Sequence, residues 1–99
     1  MEAISVNALE RDKAINKAVT EAISEIKLNT VNGVSVTEFY FPKEIGSTVK
    51  SKVSELLTDS KTRFNWCVVR TGTNQYTGRI EHFISETIGD TRRFKLKIL

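Results

Sequence analysis

Residues 63–98 read RFNWCVV, RTGTN, QYTGRIEHFISETI, GD and TRRFKLKI, and the apolar positions in the first, third and last of these blocks recur with a period of two. Alternation of this kind belongs to a strand with one buried and one solvated face. In Arg63–Val69 it sets Phe64, Trp66 and Val68 against Asn65, Cys67 and Val69. In Tyr76–Ile88 it puts Ile80, His82 and Ile84 on one face. In the last block Phe94, Leu96 and Ile98 point inward, while Lys95 and Lys97 point out. Arg70–Asn74 reads as a polar loop, and Gly89-Asp90 as a turn. The C-terminal third is therefore expected to form an antiparallel meander.

Upstream the period changes to that of a helix. From Asn7 to Lys27, Ile15, Val19, Ile23 and Ile26 fall on one stripe, widened by Ala14, Ala18 and Ala22. Asn7 and Glu10 have the spacing of a capping box, and the short segment Glu2–Val6 before them suits a brief edge strand. A second helix is expected to open on Pro42, carry Ile45, Val49, Val53, Leu56 and Leu57 inward, and end near Thr58–Ser60. Between the helices, Asn32-Gly33 marks a turn, and residues 34–41, rich in β-branched and aromatic side chains, read as a strand. One-sided helices need an apolar face to cover, and the sheet supplies one. The fold class is α+β, with two amphipathic helices packed on an antiparallel β-sheet. At 99 residues there is room for one core, so residues 1–99 form a single domain.

Composition narrows the function classes. Residues 1–49 carry 5 basic and 7 acidic side chains and residues 50–99 carry 10 and 5, so the net charge of +3 resides in the second half. Arg79, Arg92, Arg93, Lys95 and Lys97, with Tyr76 as a stacking platform, are the residues a nucleic-acid-binding sheet would use. That is the alternative reading, although the basic residues are scattered along alternating positions. Cys67 and His82 are each the only residue of their kind, too few for a metal cluster. Cys67 sits in the apolar run Trp66–Val69 and lacks the polar surroundings of a nucleophile. No glycine cluster cradles a phosphate at a strand-to-helix junction, and no pair of carboxylates stands out for acid–base work. The expectation is a non-enzymatic chain without a cofactor, a metal or a membrane-crossing segment.

Certain residues also resemble the type 1 dynein light chains: Trp66-Cys67-Val68-Val69, Tyr76 nine positions after Cys67, His82-Phe83-Ile84, and Ile88-Gly89 before a last apolar strand. Residues 1–26 are similar to that family's first strand and helix, and residues 44–53 to its second helix. Residues 28–43 stand as a strand-like insertion. The resemblance implies a light-chain-like, strand-exchanged homodimer, cytoplasmic and associated with the cytoskeleton. It would act as an adaptor in a dynein motor complex on microtubules. It would bind an extended segment of a dynein intermediate chain, or of another linear-motif client, by β-strand addition. Carried across, the exchanged strand and groove correspond to Thr73, Asn74, Gln75, Tyr76, Thr77, Phe83, Ser85 and Thr87, and the dimer interface to Asn65, Trp66, Tyr76 and His82. Ser85 and Thr87 stand where the family has tyrosines, and Thr73 where it has a phenylalanine, so a client motif different from the family's is implied.

Overall fold

The computed structural model describes residues 2–99, and side chains from Ala8 onward. Helix α1 (Glu2–Val31) is followed by strand β1 (Val36–Pro42), helix α2 (Gly46–Asp59), and strands β2 (Phe64–Cys67), β3 (Arg70–Thr73), β4 (Ile80–Phe83), β5 (Ser85–Ile88) and β6 (Thr91–Ile98). The chain is α+β, with two helices and antiparallel sheets.

Both helices lie on one face of the sheet. Ile15, Val19, Ala22 and Ile26 of α1, and Val49, Val53 and Leu57 of α2, are buried against Phe39, Phe41, Phe94 and Leu96. The aromatic rings form a continuous layer: Phe39 stacks on Phe41 at 5.3 Å, Phe41 meets Phe94 at 5.7 Å, and Phe94 meets Trp66 edge-on at 5.8 Å. Thr37 is the one buried polar residue among those described, and its Oγ1 accepts a bond from Asn29 Nδ2 at 2.9 Å. Thr37→Val keeps the volume but strands the Asn29 amide, so a loss of about 1–3 kcal/mol is expected in urea unfolding.

The helix ends follow local chemistry. Val34 N bonds to Asn29 O and Gly33 N to Thr30 O, with Gly33 at φ 78°, a Schellman closure that ends α1 at the Asn32-Gly33 signal. The end of α2 repeats the pattern, with Thr62 N to Leu57 O and Lys61 N to Thr58 O, but the left-handed position holds Lys61 at φ 60°. A side chain is strained there, so Lys61→Gly is expected to stabilise the fold by about 1 kcal/mol, read as a higher urea midpoint with an unchanged slope.

Several sequence expectations need correction. Helix α1 runs through Asn7 from Glu2, so there is neither an edge strand at Glu2–Val6 nor a helix start at Asn7; it also continues four residues beyond Lys27. Pro42 does not open α2. It closes β1 opposite Thr91, and α2 begins at Gly46 after a turn in which Ile45 N bonds to Pro42 O. Arg70–Asn74 is not simply a loop, because Arg70–Thr73 form β3 and pair with β4. The segment Tyr76–Ile88 is not one strand. Tyr76 lies in the β3–β4 turn, and the strand breaks at Ile84 into β4 and β5, which enter different sheets.

Nor is the sheet a sequential meander. The last strand, β6, is central, with β1 on one side and both β2 and β5 on the other. Cys67 pairs with Lys95 and Ser85 with Phe94, so β2 and β5 lie end to end as one interrupted strand along β6. Residues 68–84 leave that strand and return to it as a two-stranded arm, β3 and β4, paired from Arg70↔Phe83 to Thr73↔Ile80. The alternation passes through the gap without a change of phase: Trp66 and Ser85 turn to the helix side, Cys67 and Glu86 to the open side. Gly89, at φ 58°, supplies the first position of the two-residue turn into β6.

Candidate functional site

The free edge of β1 follows from which backbone groups its neighbour consumes. Ile98 N donates to Ser35 O, and Lys43 N to Asp90 O, at the two ends of the β1–β6 ladder. Bonded pairs alternate with non-bonded ones in an antiparallel ladder, so residues 35, 37, 39, 41 and 43 direct their N–H and C=O groups at β6. Val36, Glu38 and Tyr40 direct theirs the other way. No strand flanks β1 on that side, and no backbone partner meets these groups among the described residues.

A groove of about 240 Å³ runs along this edge, between it and α1. Ala18 and Ala22, one helical turn apart, keep the helix side shallow, and Phe39 and Phe41 contribute apolar surface from β1. Two carboxylates, Glu21 and Glu25 on α1, line the helix side of the groove, whereas Glu38 contributes its edge backbone and turns its carboxylate to the open face of the sheet. Glu38 accepts a bond from Tyr40 Oη at 2.8 Å and lies 3.5 Å from Arg93 Nε. Glu21 and Glu25 are like charges four residues apart on a helix, with no salt bridge at either among the described residues.

The residues singled out from sequence divide into two places. Phe83, Ser85 and Thr87 come together at the root of the arm, where Phe83 and Ser85 are shared by two adjoining depressions. His82 lines one of them, and its Nδ1 lies 3.3 Å from Thr71 Oγ1. Thr73, Asn74, Gln75, Tyr76 and Thr77 lie at the other end, in the last pair of the arm and its turn. There Asn74 Oδ1 accepts the backbone N–H groups of Tyr76 and Thr77, and Tyr76 is 98% exposed. Asn65 is on the open face of β2 opposite Lys97. Trp66 packs within its own chain, against Phe39 and Phe94, and donates its indole N–H to Ser54 Oγ at 2.8 Å.

Other chemistry is sparse among the described residues. They contain no group of three or more side chains able to hold a metal, and no helix long and apolar enough to cross a membrane. No hydrogen bond joins Cys67 to His82; the nearest polar partner of Cys67 Sγ is Asn65 O at 3.9 Å. Of the five basic residues considered for a nucleic-acid face, Arg93, Lys95 and Lys97 share the open face of β6 and the other two lie elsewhere. Arg92 turns to α2, Arg93 pairs with Glu86 and Glu38, and Arg79 sits at the base of the arm's turn.

No family model, curated protein or solved structure matches this chain.

Pro42, which closes β1 opposite Thr91, is the one sign of this edge in the sequence. A proline closing a run of alternating residues is the signature of an edge strand, since it cannot donate to a second neighbour.

Proposed function

We propose that this chain is a non-catalytic binding module that takes an extended, lysine- or arginine-bearing segment of a partner protein as an added strand along β1. The unpaired backbone groups of Val36, Glu38 and Tyr40 beside an acid-rimmed groove carry this reading. In strand addition the main-chain bonds supply affinity, and pockets for alternate side chains supply selectivity. Cationic side chains on the client's helix-facing positions would reach Glu21 and Glu25 and relieve the repulsion between them.

The resemblance to dynein light chains gives this module a motor-complex version: a cytoplasmic, cytoskeleton-associated homodimer whose client is a dynein intermediate chain. In that version residues 73–78 would be lent to a partner subunit. In this chain they close the arm on itself, and Asn74 N already bonds to Arg79 O, which favours β1 over the arm as the client's seat.

The test is calorimetric titration of the full chain with extended peptides, basic and acidic. Basic peptides are expected to bind, and to lose binding when the amides facing β1 are N-methylated. Glu38→Pro removes an outward N–H while leaving the backbone bonds to β6 intact. It is expected to weaken binding at least tenfold, about 1.4 kcal/mol, with an unchanged circular dichroism spectrum. Equal binding by Glu38→Pro would sink the proposal, as would salt-sensitive binding of single-stranded oligonucleotides without any peptide binding. Recovery of an intermediate chain in a pull-down, together with a dimer by light scattering, would support the motor version.

A further inference from the structure

The opposite edge of the sheet carries a second depression, about 430 Å³ in volume, between α2 and the root of the arm. Its polar lining comprises Ser47, Lys50 and Ser51 from α2, His82 from β4, Ser85 from β5 and Arg92 from β6, with Phe94 beneath them. Hydroxyls and nitrogen bases make up this lining, and no carboxylate belongs to it.

Arg92 is held at the centre. Its Nε donates to Ser85 Oγ and its Nη1 to Ser47 Oγ, both at 2.8 Å, while its guanidinium carbon lies 5.6 Å from the centre of the Phe94 ring. These partners fix the orientation of the guanidinium without cancelling its charge. Among the described residues no carboxylate pairs with Arg92, whereas Arg70 and Arg93 both reach Glu86. Lys50, in the same cleft, is likewise without a salt bridge, and its Nζ lies 5.6 Å from the centre of the Trp66 ring. Two cations lining one cleft, with no carboxylate beside them, give it a positive field that favours an anion. The first turn of α2 has no acidic residue and no capping side chain to supply one.

The geometry points to a binding site in this cleft for the phosphoryl group of a small molecule. Donors arrive from α2, β4, β5 and β6, which suits a tetrahedral oxyanion approached from several sides, and the guanidinium is already positioned before the ligand enters. The volume lies within the range of small-ligand pockets, about 300–1,000 Å³, which leaves room for an organic group beyond the phosphate. This site is independent of the peptide-binding reading. It lies at the other edge of the sheet and answers to a different probe.

The experiment is a ¹⁵N–¹H NMR titration of the full chain with inorganic phosphate, pyrophosphate and a sugar phosphate, with acetate and chloride at matched ionic strength as controls. Saturable shifts are expected at the amides of Ser47, Ser51 and Ser85 and at Arg92 Nε, with the sugar phosphate binding more tightly than phosphate alone. K50Q leaves the fold unchanged, because the Lys50 ammonium makes no hydrogen bond among the described residues, and is expected to raise Kd about tenfold. Ser47→Ala, which releases one side of Arg92, should also weaken binding. Absence of saturation at millimolar phosphate and pyrophosphate would overturn the assignment. So would equal shifts with acetate, or K50Q binding as tightly as the parent. A phosphoserine peptide binding more tightly than a sugar phosphate of equal charge would overturn the small-molecule source.

Discussion

Phe94→Ala is expected to cost about 3–5 kcal/mol and to lower the urea midpoint sharply. Phe94 is 2% exposed on the central strand, and its ring touches both Phe41 and Trp66, so its removal opens a cavity where the two halves of the aromatic layer meet. A domain of this length has only about 5–15 kcal/mol to lose. The neighbours cannot close the gap, because β6 is fixed by ladders on both sides. Gly46 already sits against this ring: a Cβ there would lie 3.3 Å from Phe94 Cε2. Urea unfolding followed by Trp66 fluorescence gives the measurement. Phe94→Leu, which fills most of the space, should lose clearly less; if the two variants lost equally little, the ring would not be the keystone of the layer.

Phe39→Pro should unfold the chain outright, whereas Glu38→Pro, one residue away, should fold. Position 39 directs its N–H at β6 opposite Phe94, and position 38 directs its own at solvent. Proline at 39 removes a ladder bond, forces the ring of the imino acid towards β6 and deletes a 3% exposed phenyl group. The backbone part alone is worth about 3 kcal/mol, and the phenyl adds about 3–5 kcal/mol. Phe39→Ala separates the two contributions, since it keeps the N–H. Circular dichroism of the three variants settles the phase of the strand. If Glu38→Pro were the one that unfolded, the outward groups would belong to positions 37 and 39, and the client edge would be misplaced by one residue.

What the sequence disclosed depended on whether the decisive contacts were local. The stripe of Ile15, Val19 and Ile26, and the alternation of Phe94, Leu96 and Ile98, are periodicities of single elements, and both reappear in the core. Asn32-Gly33 and Gly89-Asp90 are local turn chemistry, and both mark turns. The central place of β6 is a matter of pairing between distant segments, and nothing in Thr91–Ile98 itself distinguishes a middle strand from an edge one. The break at Ile84 was hidden for a related reason: β4 and β5 alternate on either side of it, so one strand and two look alike. Pro42 admits two local readings, and only the partner strand decides between them. For the candidate sites, Phe83, Ser85 and Thr87 are implied by the light-chain resemblance alone, and no periodicity of the segment singles them out. The contribution of α2 to the cleft, through Ser47, Lys50 and Ser51, arises only when the chain folds back, as does the acidic rim that α1 adds to β1.

The interrupted strand opposite β6 makes the arm a cassette. Because Cys67 and Ser85 occupy neighbouring register positions, seventeen residues, 68–84, leave and re-enter the sheet at points about one residue apart. A module spliced in at such a doorway can be lengthened, exchanged or removed without re-registering the strands around it. This chain can therefore change what its arm presents to the world while its scaffold stays the same, and a foreign hairpin with matched ends should be accepted in its place.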